Sequence, residues 1–418
     1  MRRYESYKDS GVEWLGEVPS HWELGRISTY FTERRTKVSD KDYPALSVTK
    51  LGVFPQWENV AKTNDGDNRK LAKKGDFVIN SRSDRKGSSG IAKQDGSVSL
   101  INIVLQPKKI NSVYSEYLFK SYSFIEEFYR VGHGIVADLW TTRFEDIKNS
   151  LIIFPPLSEQ QKIAQFLDDK TAKIDQAVDL AEKQIALLKE HKQILIQNAV
   201  TRGLNPDVPL KDSGVEWLGD LPSHWDVQRS KFIFKKIERK VNEEDQIVTC
   251  FRDGQVTLRA NRRTEGFTNA LKEHGYQGIR KGDLVIHAMD AFAGAIGISD
   301  SDGKATPVYS VCLPRDKQKI DVYFYAYYLR NLALSGFISS LAKGIRERST
   351  DFRYADFAEL LLPIPPYLEQ QKIADYLDKQ TAKIDQAIAL KTAHIEKLKE
   401  YKSVLINDVV TGKVRVSV

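Results

Sequence analysis

The chain has 418 residues, 41% of them hydrophobic and 28% charged, a composition typical of a globular protein of about two domains. Its formal net charge of +7 suits a polyanionic partner without requiring one. No run approaches 18 apolar residues, no apolar segment follows the N-terminal arginines, and Cys250 and Cys312 form no CxxC pattern. These features predict a cytoplasmic protein without a membrane span, secretory signal, disulfide framework or cysteine-ligated zinc site.

Two long segments of the chain occur twice. KDSGVEWLGEVPSHWEL at 8–24 returns as KDSGVEWLGDLPSHWDV at 211–227. PPLSEQQKIAQFLDDKTAKIDQAV at 155–178 returns as PPYLEQQKIADYLDKQTAKIDQAI at 365–388. A period near 200 residues is too long for a solenoid, so the sequence indicates a duplicated pair of domains.

Between these repeats the two halves diverge. Residues 25–133 and 228–343 share little beyond KGDFVINS at 74–81 and KGDLVIHA at 281–288. Segments that stay nearly identical must do the same task twice, whereas divergent segments on a shared scaffold face different targets. The pattern therefore indicates two equal frames that hold two different recognition surfaces.

Each divergent half contains short runs rich in β-branched and aromatic residues, broken by Gly, Asp and Asn. These runs predict strands at 43–52, 75–83, 97–107, 245–251, 282–290 and 308–314. Helices are predicted around 115–129 and 321–341. The fold class is therefore α+β, with a mixed, mostly antiparallel, curved sheet in each half. Aromatic residues on these helices are interpreted as core: Tyr117, Phe119, Phe124, Phe128, Tyr323, Phe324, Tyr327 and Tyr328.

A sustained 3.5-residue apolar repeat follows each divergent half. It predicts two long helices whose coiled-coil seams contain Ile163, Leu167, Ile174, Val178, Ile185, Leu188 and Leu195, and Ile373, Leu377, Ile384, Ile388, Ile395, Leu398 and Leu405. Roughly 40 residues at about 1.5 Å each make a rod of about 60 Å. Asp168 to Thr171 could interrupt the first helix, and Gly203 and Gly412 lie just past the two ends.

Each predicted rod needs a partner, and the other rod is the nearest one. We expect an antiparallel intramolecular coiled coil with pseudo-twofold symmetry; two helices packed on separate domains are the alternative. Lys192 and Lys402 interrupt the two seams at matching positions. Polar residues at seam positions favour one defined register of the two helices. The alternative is that they mark a helix face that binds helices of another protein.

Basic loops in the divergent halves are the candidates for DNA contact. Arginine suits guanine edges, asparagine suits adenine, and lysine and serine suit phosphates. The first half offers Asn80, Arg82, Ser83, Arg85, Lys86 and His133. The second half offers His287, Met289, Arg252, Arg259, Arg262, Arg263, Lys343, Arg346 and Arg348. The basic loops lie at different places in the two halves, as two readers of different sequences require.

The sequence holds no recognisable catalytic motif. It lacks GxxxxGK[ST], GxGxxG before a helix, HExxH, GxSxG and the Asn-Pro-Pro-aromatic signature of amino-methyltransferases. Phe154-Pro155-Pro156 and Ile364-Pro365-Pro366 resemble the last signature but lack its Asn or Asp. We therefore expect a non-catalytic protein that itself binds no cofactor and no metal.

The order SGVEWLG, PSHW, a divergent domain, then PPLxEQQKIAxxLD and TAKIDQA, all repeated, resembles the HsdS family of type I restriction–modification specificity subunits. The resemblance covers the whole chain. It implies target-recognition domains at 1–154 and 204–364, a central conserved helical spacer at 155–203 and a C-terminal one at 365–418. Each recognition domain of such proteins reads one half of a split site in double-stranded DNA, and the spacers set the gap.

The resemblance also implies partners. Two modification (HsdM) subunits would dock on the helices, bind S-adenosylmethionine and carry out DNA methylation at adenine. Two restriction (HsdR) subunits could add translocation and cleavage with ATP and Mg²⁺. Two alternatives stay open: a self-sufficient DNA enzyme, and a structural or regulatory coiled-coil protein without a sequence-specific DNA role.

Overall fold

The computed structural model describes residues 2–56, 66–134, 140–262, 265, 274–341 and 351–416. The chain forms two compact units. Unit 1 comprises Met1–Glu182 and Thr392–Val418, and unit 2 comprises Lys183–Lys391. Both unit boundaries fall inside long helices, away from the recognition-domain and spacer boundaries predicted at 154/155 and 364/365. We call the part of each unit outside these helices its head.

The strands of head 1 are β1 Tyr7–Asp9, β2 Glu17–Pro19, β3 Glu23–Arg26, β4 Phe31–Glu33, β5 Lys37–Val38, β6 Leu46–Thr49, β7 Gly52–Pro55, β8 Arg69–Ala72, β9 Phe77–Asn80, β10 Ser89–Ile91, β11 Gly96–Val98, β12 Asn102–Pro107 and β13 Leu151–Phe154. Its short helices are α1 Ile27–Tyr30, α2 Ser112–Phe119, α3 Tyr122–Arg130 and α4 Phe144–Ile147. The long helix α5 spans Leu157–Arg202.

The strands of head 2 are β14 Leu210–Asp212, β15 Asp220–Pro222, β16 Asp226–Arg229, β17 Phe234–Lys236, β18 Val248–Cys250, β19 Val256–Leu258, β20 Gln277–Ile279, β21 Leu284–His287, β22 Ile296–Ile298, β23 Gly303–Ala305, β24 Tyr309–Pro314 and β25 Leu361–Ile364. Its short helices are α6 Ser230–Ile233, α7 Val322–Leu334, α8 Phe337–Leu341 and α9 Tyr354–Glu359. The second long helix, α10, spans Tyr367–Val410.

The two heads share one topology. A four-stranded antiparallel sheet forms the centre of each, in the order β10-β9-β12-β4 in head 1 and β22-β21-β24-β17 in head 2. The strand after the KGD segment lies in the middle of each sheet, with all four residues of β9 buried and only His287 of β21 partly exposed. Every named strand pair is antiparallel, so the predicted α+β class with mostly antiparallel sheets is confirmed.

The KGD segment recurs because it makes a turn and a buried ion pair. In head 1, Gly75 takes φ +92°, a left-handed conformation that glycine adopts at little cost. The Asp76 carboxylate accepts Nε–H of Arg34 at 2.7 Å and backbone N–H of Lys73 at 2.9 Å. Asp76 is almost fully buried, so it needs these partners.

Head 2 repeats the same contacts with different chain spacing. Gly282 takes φ +89°. The Asp283 carboxylate accepts the guanidinium of Arg239, with Nη2 to Oδ1 at 3.0 Å, and the backbone N–H of Arg280 at 2.8 Å. A few buried polar contacts therefore keep the KGD turn the same in both heads, although most of the surrounding sequence differs.

The other repeated motifs meet each other where head and helix join. His21 of the first PSHW motif contacts Glu159 of α5 at 2.9 Å, from Nε2 to Oε2. His224 contacts Glu369 of α10 at 2.7 Å in the same way. Trp22 of the first motif is fully buried, as is its counterpart in the second. The repeated segments are therefore nearly identical because they form the same junction between head and helix in both units.

The helix α2 is fixed to α5 by a second pair of contacts. The Tyr117 hydroxyl donates to Asp168 at 2.8 Å and lies 3.1 Å from the hydroxyl of buried Thr171. The helix α5 runs unbroken through this stretch, so the predicted possibility of an interruption at Asp168 to Thr171 is wrong. Asp168 and Thr171 contact Tyr117 of head 1, while the backbone hydrogen bonds of the helix continue through this stretch.

Most of the aromatic residues assigned to the core are buried. Tyr117 and Tyr327 are half-buried, and Tyr327 donates to Asp378 at 2.7 Å. The assignment of Tyr323 was wrong, because its side chain is 50% exposed. Tyr323 lies in the first turn of α7, on the opposite side of the helix from the buried Phe324, Tyr325 and Tyr328.

Segments of the two long helices pack together within each unit. In unit 2 the Nζ of Lys192 contacts Asp385 at 2.7 Å, and the Nζ of Lys391 donates to Gln184 at 2.6 Å. Because residue numbers rise on one helix as they fall on the other, these segments are antiparallel.

Unit 1 repeats the first of these contacts, since Lys402 Nζ lies 2.7 Å from Asp175. Gly203 directly follows α5 and Gly412 lies two residues past the end of α10, with φ +74° and +77°. The predicted seam residues differ in burial along the two helices. Those that are fully buried are Ile163, Leu167, Ile174, Ile373, Leu377, Ile384, Ile395 and Leu405, and those that are half-buried are Val178, Ile185, Leu188, Leu195, Ile388 and Leu398.

We predict that Asp76→Ala and Asp283→Ala each lower the free energy of unfolding by about 3–5 kcal/mol, because each leaves a partly buried arginine and a backbone N–H without their acceptor. Urea unfolding followed by tryptophan fluorescence measures the loss. Glu396→Ala is the matched control, since its pair with Lys399 is exposed and contributes about 0–1 kcal/mol. Equal urea midpoints for Asp76→Ala and Glu396→Ala would contradict the assignment.

Candidate nucleic-acid interface

The loop after β9 presents two arginines at the surface of head 1. Residues Ser83–Arg85 form a 3-10 turn. Arg82 and Arg85 flank Asp84, with Nε to carboxylate distances of 3.4 and 3.6 Å. Both guanidinium groups are exposed and only loosely paired, so they retain donors for an external acceptor.

Two other candidates of this loop hold it in place. Asn80 is buried; its Oδ1 accepts the backbone N–H of Arg82 at 3.1 Å, and its carbonyl accepts the hydroxyl of Tyr129 at 2.8 Å. The Nζ of Lys86 contacts Glu126 at 2.6 Å. Asn80 is therefore committed to the loop itself, and Lys86 is shared with a carboxylate.

A second segment of head 1 lies beside this loop. The backbone N–H of Thr142 donates to Ser81 at 2.9 Å, and that of Ser83 donates to the carbonyl of Trp140 at 2.9 Å. His133 pairs with Thr141 through two backbone hydrogen bonds, and its ring is exposed, with Nε2 3.4 Å from Asp146. The candidates Arg82, Ser83, Arg85, Lys86 and His133 thus belong to one surface.

Trp140 is a residue of this surface that sequence reasoning missed. Its side chain is partly exposed, and it lines a cavity of about 620 Å³ together with Trp14, Tyr122 and Lys86. An indole at such a rim can stack on a base or pack on a ribose. The available signal was an aromatic residue between the two repeated segments, directly before Thr141-Thr142-Arg143.

Head 2 places different side chains on the equivalent loop. His287 ends β21, and its ring packs edge-on against Tyr309 with the centroids 4.5 Å apart. Its Nδ1 accepts the backbone N–H of Asp290 at 3.0 Å. Burial lowers the pKa of His287 below its ordinary value, and the nearby Asp290 carboxylate opposes this shift. The neutral ring then carries its proton on Nε2.

Met289 and Arg252 are the exposed members of this surface. The Nη2 of Arg252 contacts Oδ1 of Asp290 at 2.8 Å, and the guanidinium lies 5.9 Å from the ring centroid of Phe292. His287, Met289 and Arg252 are therefore brought together, although Arg252 is far from the other two in sequence.

The remaining basic candidates of head 2 divide into two groups. Arg262 contacts Asp253 at 2.7 Å and lies 4.3 Å from the ring centroid of Phe251. Arg259 donates to the hydroxyl of Thr249 at 3.5 Å. Arg263, Lys343, Arg346 and Arg348 lie outside the described residues.

Each head has a groove in the same place, next to these loops. The groove of head 1 has a volume of about 600 Å³ and lies between β4, the start of β12 and α4. The groove of head 2, about 770 Å³, lies between β17, the start of β24 and α9. Arg143 and Arg353 line equivalent walls, but Leu100 and Ile101 in head 1 are replaced by Pro307 and Val308.

The long helices leave apolar side chains exposed in both units. Unit 2 exposes Leu187, Ile194 and Leu390, and unit 1 exposes Leu180, Tyr401 and Val404. Leu187 and Ile194 are seven residues apart and lie on one face of α5. This face is separate from the buried seam and is exposed among the described residues.

Within the described ranges, no group of three or more His, Cys, Asp or Glu side chains is placed to hold a metal ion. In the same part of the chain, no helix is long and apolar enough to cross a membrane.

These observations define a class of protein: two heads of one topology, each with its own surface loops, on long helices that expose apolar side chains. The family model "Type I restriction modification DNA specificity domain" matches residues 20–189 and 225–400. The chain belongs to this family.

Relatives and solved structures agree with this assignment. The type I restriction enzyme MjaVIII specificity subunit of Methanocaldococcus jannaschii is 26% identical, over 96% of this chain and 94% of that protein. The HsdS subunit from Thermoanaerobacter tengcongensis has a similar fold, with a TM-score of 0.54 at 16% identity over 95% and 98% of the two chains. A chain from a study of "complex assembly and conformational transition of the type I R-M system" gives a TM-score of 0.69 at 15% identity over 95% and 99%.

We predict that His287 makes the stability of unit 2 fall as the pH drops below about 6.5, the ordinary histidine value. The pKa of His287 is lowered in the folded state, so the unfolded chain takes up the proton more readily and is favoured by acid. Urea unfolding of the wild type and His287→Asn between pH 7.5 and 5.0 measures this. The variant should lose less stability over that range, because other titrating groups are common to both chains; identical slopes would contradict the prediction.

Proposed function

We propose that the chain is the non-catalytic DNA-recognition subunit of a type I restriction–modification complex. Head 1 recognises one half of a bipartite site in double-stranded DNA, and head 2 recognises the other. The long helices set the distance between the halves and dock the methyltransferase subunits. The proposal rests on family membership together with the shared topology and the different surface loops of the two heads.

One observation carries the proposal. The two heads keep the same frame, down to the buried Arg34–Asp76 and Arg239–Asp283 pairs, yet they present different side chains from equivalent loops. Arg82 and Arg85 stand in head 1 where head 2 has Met289 and its neighbours. A structural or regulatory coiled-coil protein has no need to vary these loops while preserving the topology and the buried ion pairs beneath them.

The partners follow from the helices and from the family. Two modification subunits would bind the exposed apolar faces of the helix pairs, supply S-adenosylmethionine and methylate adenine. Two restriction subunits would add ATP- and Mg²⁺-dependent translocation and cleavage. In this proposal the chain holds none of these cofactors; its own residues contribute DNA contacts and helix surfaces.

We predict that the two halves of the recognised site can be exchanged independently. Replacing residues 25–133 by residues 228–343 should give a site in which both halves carry the sequence specified by head 2. The reciprocal replacement is the matched control and should duplicate the other half. Methylome sequencing of cells that express each chain with the modification subunit reads out the site. A replacement that alters both halves together would refute independent recognition.

We predict that Leu187→Glu or Ile194→Glu weakens binding of the modification subunit by at least tenfold, because a charge would be buried in an apolar helix interface. Glutamate is a good helix former, so α5 itself should persist. Lys189→Glu is the matched control, since residue 189 is exposed and lies roughly 200° around the helix from Leu187. Sedimentation of the purified complexes measures the affinity; equal binding by all three variants would exclude this face.

A further inference from the structure

The two heads carry one more equivalent element, a β-hairpin whose tip differs completely between them. In head 1 the strands β6 and β7 pair with Thr49 opposite Gly52. In head 2 the strands β18 and β19 pair with Cys250 opposite Val256. We call residues 50–51 the first tip and residues 251–255 the second tip.

Each hairpin rests against its head at a glycine in the neighbouring strand. A Cβ at Gly90 of β10 would lie 2.9 Å from the Cα of Gly52. A Cβ at Gly297 of β22 would lie 1.9 Å from the carbonyl oxygen of Gly254. Neither distance is compatible with a side chain, so both heads keep a glycine where the hairpin approaches. The supporting contact is preserved while the tip has diverged.

The first tip presents an apolar side chain to solvent. Leu51 is 84% exposed, more than any other large apolar side chain among the described residues. The tip is ordered by Thr49, whose hydroxyl accepts the N–H of Leu51 at 3.2 Å and donates to the carbonyl of Gly52 at 3.0 Å. The adjacent Lys50 is exposed and supplies a positive charge.

The second tip presents an arginine instead. Arg252 is 67% exposed. Its turn is closed by the N–H of Phe251 donating to the carbonyl of Gln255 at 2.8 Å. Both Nε and Nη2 of Arg252 donate to the same oxygen of Asp290, at 3.3 and 2.8 Å. The Asp290 carboxylate thereby orients the guanidinium, and within the described ranges no hydrogen bond engages its Nη1.

The Arg252–Asp290 contact also places the second tip beside the loop that carries His287 and Met289. A two-stranded ribbon is narrow enough to enter the major groove of B-DNA. There an arginine donates two hydrogen bonds to guanine, and an apolar side chain packs on the methyl group of thymine. A preformed tip loses little conformational freedom when it inserts.

We propose that these tips are base-reading elements: Leu51 contacts a thymine methyl group in one half-site, and Arg252 contacts a guanine in the other. This inference rests on the proposed DNA-recognition function and adds the element and the residues that confer specificity. A protein partner is disfavoured as the occupant, because partners common to both units would require similar tips.

The test reconstitutes the chain with its modification subunits and measures methylation rates on a library of sites with single base-pair changes. Arg252→Ala should reduce discrimination at one G·C pair of one half-site by roughly 5- to 150-fold, equivalent to about 1–3 kcal/mol. Leu51→Ala should reduce discrimination at a T·A pair of the other half-site. The remaining positions of each site should keep wild-type discrimination.

Two variants serve as controls. Arg229→Ala removes an arginine that is also exposed and ion-paired, 3.4 Å from Glu359, but on β16 away from the tip. Leu157→Ala removes an exposed leucine at the start of α5. Neither should change discrimination at any base pair.

Several results would overturn the tip proposal. Unchanged discrimination in Arg252→Ala and Leu51→Ala, with a bipartite preference in the wild type, would overturn it and leave the proposed function standing. An even loss of affinity at all sites with a smaller salt dependence would show phosphate contacts instead. Loss of modification-subunit binding with normal discrimination would show a protein contact. A wild-type complex without any bipartite preference would overturn both proposals.

Discussion

The junction between each head and its long helix governs how the molecule can work. The buried amide of Gln160 accepts the N–H of Asn111 at 2.9 Å and donates to the carbonyl of Pro155 at 2.8 Å. Gln370 makes the equivalent contacts in unit 2, accepting from Asp321 at 2.8 Å and donating to Pro365 at 2.7 Å. A buried amide with its partners satisfied fixes one geometry, because any rotation leaves polar groups unpaired. Each head is therefore oriented by the helix that follows it.

The helices in turn need a defined register. The Lys192–Asp385 and Lys402–Asp175 contacts are partly exposed, so each contributes about 0–1 kcal/mol to stability. These contacts instead favour one register of the two helices. If one helix slipped by a heptad along the other, a lysine would lie against the apolar seam without its carboxylate. Sequence placed Lys192 and Lys402 at matching seam positions, but their carboxylate partners could be identified only once the helices were seen side by side.

The repeated motifs made the frame predictable, whereas the recognition surface was predictable only in part. Buried positions follow from periodicity, so the strand after the KGD segment and both long helices could be placed from sequence. The exposure of a side chain in a loop depends on the conformation of the loop, which periodicity does not describe. Trp140 and Leu51 were not among the predicted site residues for that reason. Lys86 was predicted as a candidate for DNA contact, and its Nζ also contacts Glu126, forty positions later in the chain. A charged residue in a divergent loop therefore predicts which region of the surface it belongs to, but it does not predict which group its side chain contacts.

The shared frame of the heads is separate from their divergent surface loops. This separation explains how one scaffold can present surfaces for different DNA sequences. Gly90 and Gly297 hold the hairpins by backbone proximity, which is indifferent to the side chains at the tips. The buried Asp76 and Asp283 carboxylates pair with Arg34 and Arg239, whereas Arg252 at the second tip pairs with Asp290. Changes at sites that share no partner add nearly independently. We therefore expect substitutions at the tip of one head to cost the fold little and to leave the half-site of the other head unchanged.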